Sequence, residues 1–392
     1  MRNSNIKLSR GFTLLEMLVS LAIGSLVIGV AVQVFARSMA ATWIVSQKSE
    51  MLQVALAAIN LLNKDTRLAG AGMPTGGVAL TSGTGTSPVY GRDYTGKSYL
   101  GPNNNTPINF PTQTVGASTI PYLYGVIPGC SRGIQLNAAK GPTDIITIVY
   151  GDAAFPLSNY QVTFNDVNGN SVTFTSTNAA DAAVNNPGVG LKQGDLVLFQ
   201  AKLGNGGAAT TGYAIAEVTA AAPAGGGPTY TVLFGNADPL LLNQNAGTAG
   251  DLKQIVTTVG AVSPGAFAKR IWMITYYLWN QPNPSGAGVP TPVLMRQVNG
   301  RVPVPVAENV ADLRFTYDTY DTAGNLLNAT CDGGQSIGVN PNQIRTINVT
   351  HLTFRSQLPG ARSILGPTQG YQSLDVQNSV SARNLSFTQR YQ

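Results

Sequence analysis

Residues Gly91-Arg92-Asp93-Tyr94-Thr95-Gly96-Lys97-Ser98 satisfy the spacing G-x-x-x-x-G-K-S. In that motif backbone N–H groups and a helix start cradle phosphate. The chemistry needs a strand before the loop and a helix after it. Ser87-Pro88-Val89-Tyr90 supplies at most three strand residues, and Tyr99-Leu100-Gly101-Pro102-Asn103 does not propagate a helix. The segment therefore reads as a Tyr-containing surface loop, and no nucleotide or other cofactor is expected. Asp318, Asp321 and Asn325, with Gly324 between them and Asp332 nearby, form an oxygen-rich turn that is a weak cation candidate. Calcium takes six to eight oxygens and the spacing is not that of an EF-hand, so a solvated hairpin turn is the plainer reading and no metal is expected. His351 is the single histidine and lies inside a strand pattern, which leaves a Ser–His or metal-hydrolase site without a second member. Cys130 and Cys331, the two cysteines, both sit in loop sequence; in an oxidising compartment they could pair, closing a loop of about 200 residues worth up to ~4–5 kcal/mol, or stand as two separate thiols. Glu16 is a lone carboxylate near the start of a long apolar run.

The elements that would position these groups follow from composition and periodicity. The chain has 392 residues, of which 11% are charged and 43% apolar, with 44 Gly. So few charges, with mean hydropathy of only +0.06 and one long apolar run, exclude a polytopic transporter and leave a secreted, turn-rich β protein. Arg2, Lys7 and Arg10 precede the 25-residue run Phe12–Ala36, whose one charge is Glu16. As a helix the run spans ~37 Å, enough to cross a hydrocarbon core, with the basic flank on the cytoplasmic side and the rest exported. An ordinary signal peptide has a shorter apolar stretch and gains nothing from a carboxylate there. The net charge of +6 falls to +3 without the three leader bases. The remaining bases are dispersed, with no aromatic-interleaved stripe, so no nucleic acid is expected. The helix continues to Ala69, since Met51, Val54, Ala55, Ala58, Ile59 and Leu62 mark one apolar face and Gly70, Gly72 and Pro74 stop it. Residues 73–143 read as loops or an elaborated insertion. Beyond them, strands are expected at 144–150, 160–164, 171–175, 194–201, 212–219, 229–234, 253–259, 269–279, 292–298, 313–318, 343–355 and 379–389, with a short helix after Val304. Along 343–355, Ile344, Thr346 and Asn348 are expected on one face and Ile347 and Val349 on the other.

Arg10-Gly11-Phe12-Thr13-Leu14-Leu15-Glu16, with the basic leader and apolar run, resembles the processing motif of type IV prepilins. The resemblance implies cleavage between Gly11 and Phe12 by a prepilin peptidase, N-methylation of Phe12, and a filament-register role for Glu16, which would meet an N-terminal amine of its own or a neighbouring subunit. At ~4 Å and an effective dielectric of ~20 such a pair attracts by about 4 kcal/mol before desolvation, so it acts as a register device more than as net stability. Lys64-Asp65-Thr66-Arg67-Leu68-Ala69-Gly70-Ala71-Gly72 and the order of elements from 265 onward resemble minor pilins of the PilW family, and the tail Ser379–Leu385 resembles an ending of large minor pilins and pseudopilins. The family often has a Pro near Gln33; this chain has none, so local melting of the helix would rest on Gly24 and Gly29.

The expected fold is α+β, a long hydrophobic and then amphipathic N-terminal helix packed on a large antiparallel β-rich head. Its segments are a leader (1–11), a membrane and filament-core helix (12–36), an amphipathic continuation (37–72), a Gly/Thr/Asn-rich insertion (73–250) and a PilW-like C-terminal module (251–392). The resemblance implies a non-enzymatic minor pilin that primes pilus assembly or sits in the tip complex, in adhesion or twitching motility. Its partners would be other minor and major pilins, the prepilin peptidase, the inner-membrane assembly platform and a tip adhesin, with no small-molecule substrate. It would cross the inner membrane once before assembly, head in the periplasm, and then reach the pilus at the cell surface. Two alternatives stay open: a minor pseudopilin of a type II secretion system, and a membrane-anchored periplasmic binding protein or enzyme that uses the helix only for export.

Overall fold

The computed structural model describes residues 11–81, 87–92, 108–137, 139–178, 184–186, 188–203, 210–221, 228–244, 247, 250–281, 291–321, 323–330, 340–356 and 372–386. The Gly91–Ser98 motif beyond Arg92, Cys331 and Asp332 lie outside them. The chain divides into two units, residues 1–53 with 356–372, and residues 54–355 with 373–392.

The fold is a long N-terminal apolar helix, α1 (Leu14–Arg67), followed by a large antiparallel β-rich head. The helix passes Gly24 and Gly29 without a break, and neither glycine meets another atom within 4 Å. Apolar side chains of its first part face outward, among them Leu14, Leu21, Leu26 and Phe35. Within the second unit the helix buries Ala55, Ala58, Ile59 and Leu62, a three-and-four-residue spacing that forms one stripe. The two alanines let the backbone approach the sheet closely, and Ile59 and Leu62 contribute roughly 1.5–3 kcal/mol each by leaving water. Gly70 and Gly72 end the helix at φ +74° and +67°, a left-handed backbone that glycine adopts without strain.

The head is organised by one strand, Phe267–Gln281. It pairs along one edge with Leu196–Leu203 and then with Thr291–Val298, and along the other with Ile145–Gly151. Asn299 bridges the place where partners change: its N–H donates to the Met273 carbonyl at 2.7 Å and its Oδ1 accepts the Met273 N–H at 2.7 Å. Because this seven-stranded sheet takes strands from both sides of residue 250, the sequence boundary there is a connection within one body. One face of the sheet packs on α1 and on the four-stranded sheet of Leu326–Thr330, Val310–Tyr320, Ile344–Arg355 and Ser373–Ser381. The other face buries Val78, Tyr90, Ile108, Tyr124 and Tyr277 in a second core. A third core, built around Phe199 with Phe164, Phe174 and Phe234 at centroid distances of 5.3–6.3 Å, lies beneath the sheet of Tyr160–Phe164, Ser171–Ser176, Thr229–Leu233 and Ala220–Ala221.

Five expectations are corrected. Residues 73–143 contain Thr112–Val115, Ser118–Leu123 and Val126–Gly129, strands too short or too polar to show a period. Residues 253–259 begin as a helical turn, Leu252–Ile255, because the Asp251 side chain caps it by accepting from the Lys253 N–H. The helix expected after Val304 is instead two strands, Val304–Glu308 and Val310–Tyr320, joined at Asn309 with φ +59°. Among the described residues the last strand is Ser373–Ser381, not 379–389, and the turn Arg383–Ser386 follows it; residues 387–389 of the expected strand lie outside the described residues. A register shift at Arg345, between the pairs Asp318–Thr346 and Thr319–Ile344, also turns Ile344 inward beside Ile347 and Val349, overriding simple alternation.

Candidate functional site

Gly11, Phe12 and Thr13 precede the helix and are exposed, Phe12 by 82%. The Gly11–Phe12 peptide bond therefore lies in exposed, non-helical backbone. Thr13 and Glu16 form a reciprocal cap. The Thr13 N–H and hydroxyl donate to Glu16 Oε2 at 3.0 Å each, and the Glu16 N–H donates to Thr13 Oγ1 at 3.3 Å. Two of the open N–H groups at the helix start are satisfied this way. The pattern T-x-x-E was legible in the sequence, but Glu16 was read there only as a partner for an amine. In the uncut chain no amine exists at Phe12, and Thr13 occupies the carboxylate.

The opposite end of α1 is held by a buried polar cluster. Asp65, 1% exposed, accepts from the Tyr276 hydroxyl at 2.7 Å, from Arg296 Nε at 2.8 Å and from the Tyr150 hydroxyl at 3.3 Å. Burial, and then the Asp65 charge, push both tyrosines well above their usual range, so each stays a neutral donor. Three strands thus grip one helical carboxylate. The C-terminal tail completes the anchor. Asn384 Nδ2 donates to the Arg67 carbonyl at 3.2 Å, one of the open carbonyls at the helix end. Leu385 lies so close to Gly70 and Gly125 that a Cβ built on either would fall 2.5 or 2.9 Å from its Cδ2. The segments 64–72 and 379–385, singled out separately in the sequence, meet in space here.

The remaining candidates occupy ordinary structural positions. The Asp321 carboxylate accepts the Asn325 N–H at 2.7 Å and its Nδ2 at 2.8 Å, bonds that hold it below the usual carboxylate range. Asp318 Oδ1 accepts from Asn348 Nδ2 at 2.9 Å on the sheet surface. The two carboxylates thus serve a hairpin and a strand rather than converging, and among the described residues no group of three or more His, Cys, Asp and Glu is placed to hold a metal. His351 Nδ1 lies 2.9 Å from Asp375 Oδ2, and Thr353 donates to the other Asp375 oxygen. Cys130 is fully buried and disulfide-bonded. Beside it, Asp144 accepts the Ser131 N–H at 2.8 Å and the Phe315 N–H at 2.9 Å, joining the Cys130 turn to the four-stranded sheet.

Two buried clusters of ionisable side chains had no sequence signal, because their members come from separate segments of the chain. Arg270 lies between Phe155 and Trp272, with ring centroids 5.1 and 4.8 Å from its guanidinium carbon, and bonds Asp152 and the carbonyls of Val189 and Gly190. Glu217 and Asp238 hydrogen-bond to one another inside the head.

Residues 6–32 match the family model described as a prokaryotic N-terminal methylation motif. The match is confined to this N-terminal segment and supports a type IV pilin-like protein, of a pilus or a pseudopilus. Its apolar helix fits a single-pass membrane anchor. No curated protein and no solved structure matches the chain.

Proposed function

We propose that this protein is a PilW-like minor pilin of a type IV pilus, a structural subunit that primes assembly or joins the tip complex and takes part in adhesion or twitching motility. The observation that carries the reading is the methylation motif at 6–32 on an outward-facing apolar helix whose far end is locked into the head by Asp65. Cleavage after Gly11 frees the Phe12 amine for methylation, and Glu16 exchanges Thr13 for an ammonium when the helix joins a bundle of its kind. The chain crosses the inner membrane once, leader inward and head in the periplasm, until it is drawn into the fibre beside other minor and major pilins. Cys130 pairs with Cys331, the second of the two cysteines.

Expression with and without a prepilin peptidase tests this. Intact mass should show a mature chain beginning at methylated Phe12 only when the peptidase is present, and the product should copurify with sheared pili. A mature N-terminus near Ala40 overturns the processing. Copurification with a type II secretion pseudopilus instead assigns the subunit to that apparatus.

A further inference from the structure

We propose that Glu217 and Asp238 form a single-proton latch that fastens the loop 235–243 to the edge strand Thr210–Glu217 and comes undone as the surroundings turn alkaline. The two side chains are 3% and 1% exposed, and their carboxyl groups hydrogen-bond directly. Two carboxylates do not make that bond; one must keep a proton.

The remaining contacts fix where the proton resides. Asp238 Oδ2 accepts the Leu242 N–H at 2.6 Å and Oδ1 accepts the Asn243 N–H at 3.1 Å, so this group is equipped to be the anion. Glu217 Oε2 accepts one N–H, from Leu240 at 3.3 Å, and Glu217 is the natural proton carrier. Burial, and then the Asp238 charge, push Glu217 well up; burial raises Asp238 too, but its backbone donors restrain the rise. The charged groups facing the pair are Arg301, from the turn after Thr291–Val298, and through it Asp195 at the head of Leu196–Leu203. Arg301 Nη2 bonds Asp195 at 2.5 Å and the Gln193 carbonyl at 3.1 Å, while its buried Nε makes no hydrogen bond and its charge opposes, without overturning, the upward push on Glu217.

The latch sits at a junction. Asn243 holds the Glu217 backbone from both sides, accepting its N–H at 2.8 Å and donating to its carbonyl at 2.6 Å. Leu240 and Leu242 reach into the second core with Tyr90 and Ile108, and the Leu240 carbonyl accepts the Val89 N–H at 3.2 Å. Opening the loop therefore loosens the base of the strand pair Val89–Tyr90 and Ile108–Asn109. A carboxyl raised by folding stabilises the fold fully below its unfolded value, here 4.5, and the contribution fades as pH climbs to about 8.

The full chain in detergent tests the latch. The chain has four glutamates, Glu16, Glu50, Glu217 and Glu308, and the other three are exposed. Glutamate-selective carboxyl labelling with carbon-13 therefore isolates Glu217, which should titrate far above the other three while amide exchange at 240–243 quickens in step, beyond its intrinsic pH dependence. Glu217→Gln keeps the geometry, with its amide donating to Asp238. Relative to this variant the wild type should lose up to tenfold in folding constant per pH unit between 4.5 and about 8. A glutamate signal titrating with the exposed three, exchange at 240–243 that ignores it, or parallel pH profiles of the two proteins would each overturn the proposal.

Discussion

Asp65→Ala is the sharpest probe of how the helix is held. The substitution strands the Tyr276 hydroxyl, the Arg296 guanidinium and the Tyr150 hydroxyl, which now converge on one carboxylate at 2.7, 2.8 and 3.3 Å. Arg296 has only a quarter of its side chain in water, so losing its partner leaves a mostly buried charge uncompensated. Breaking such a pair costs roughly 3–5 kcal/mol. At ~2–4 °C per kcal/mol for a domain of this class, the melting midpoint of the full chain in detergent should fall by on the order of 10 °C. Asp65→Asn keeps an acceptor for one donor and should fall by about half as much. Replacing Arg296 by Met in the Asp65→Ala background removes the stranded cation and should recover part of the loss. A midpoint for Asp65→Ala within ~1–2 °C of wild type would refute the anchoring argument, because it would mean that the cluster relaxes into water at no cost.

At the helix start, Glu16→Gln separates capping from charge. If the register role is right, both Glu16→Ala and Glu16→Gln leave membrane insertion intact and reduce incorporation into fibres; Gln matching wild type in pilus yield would leave only the cap. Thr13→Ala removes the cap's hydroxyl and should destabilise the helix start by ~0.5–2 kcal/mol, seen as faster exchange of the first-turn amides. Cys130→Ser should cost about 2–5 kcal/mol in denaturant unfolding, and the wild type should migrate faster without reductant than with it; identical mobilities would exclude the long-loop disulfide.

The helix was legible because its signals are local: a run of apolar residues, a repeating stripe from Val54 to Leu62, and glycines at 70 and 72 where the backbone turns left-handed. The strands Tyr160–Phe164 and Ser171–Ser176 were equally plain, since alternation records which side faces Phe199. What was obscured had competing local chemistry. The β-branched residues after Gln254 suggested a strand, while Asp251 in front of them capped a turn. The stretch around Ala307 and Asn309 had helical spacing, yet Asn309 reverses the chain between two strands. The charged clusters were hidden for a different reason. Asp65 finds Arg296, and Asp152 finds Arg270, only after sheet pairing brings distant segments together, and no window of sequence records that.

The contact of Asn384 and Leu385 with Arg67 and Gly70 has a bearing on biosynthesis. The residues that seal the end of the rod are made more than 300 positions after it. Until they arrive, the helix end is held by the Asp65 cluster. A translation product stopped short of residue 384 would lack both contacts and leave the Arg67 carbonyl and Gly70 uncovered at the end of the rod.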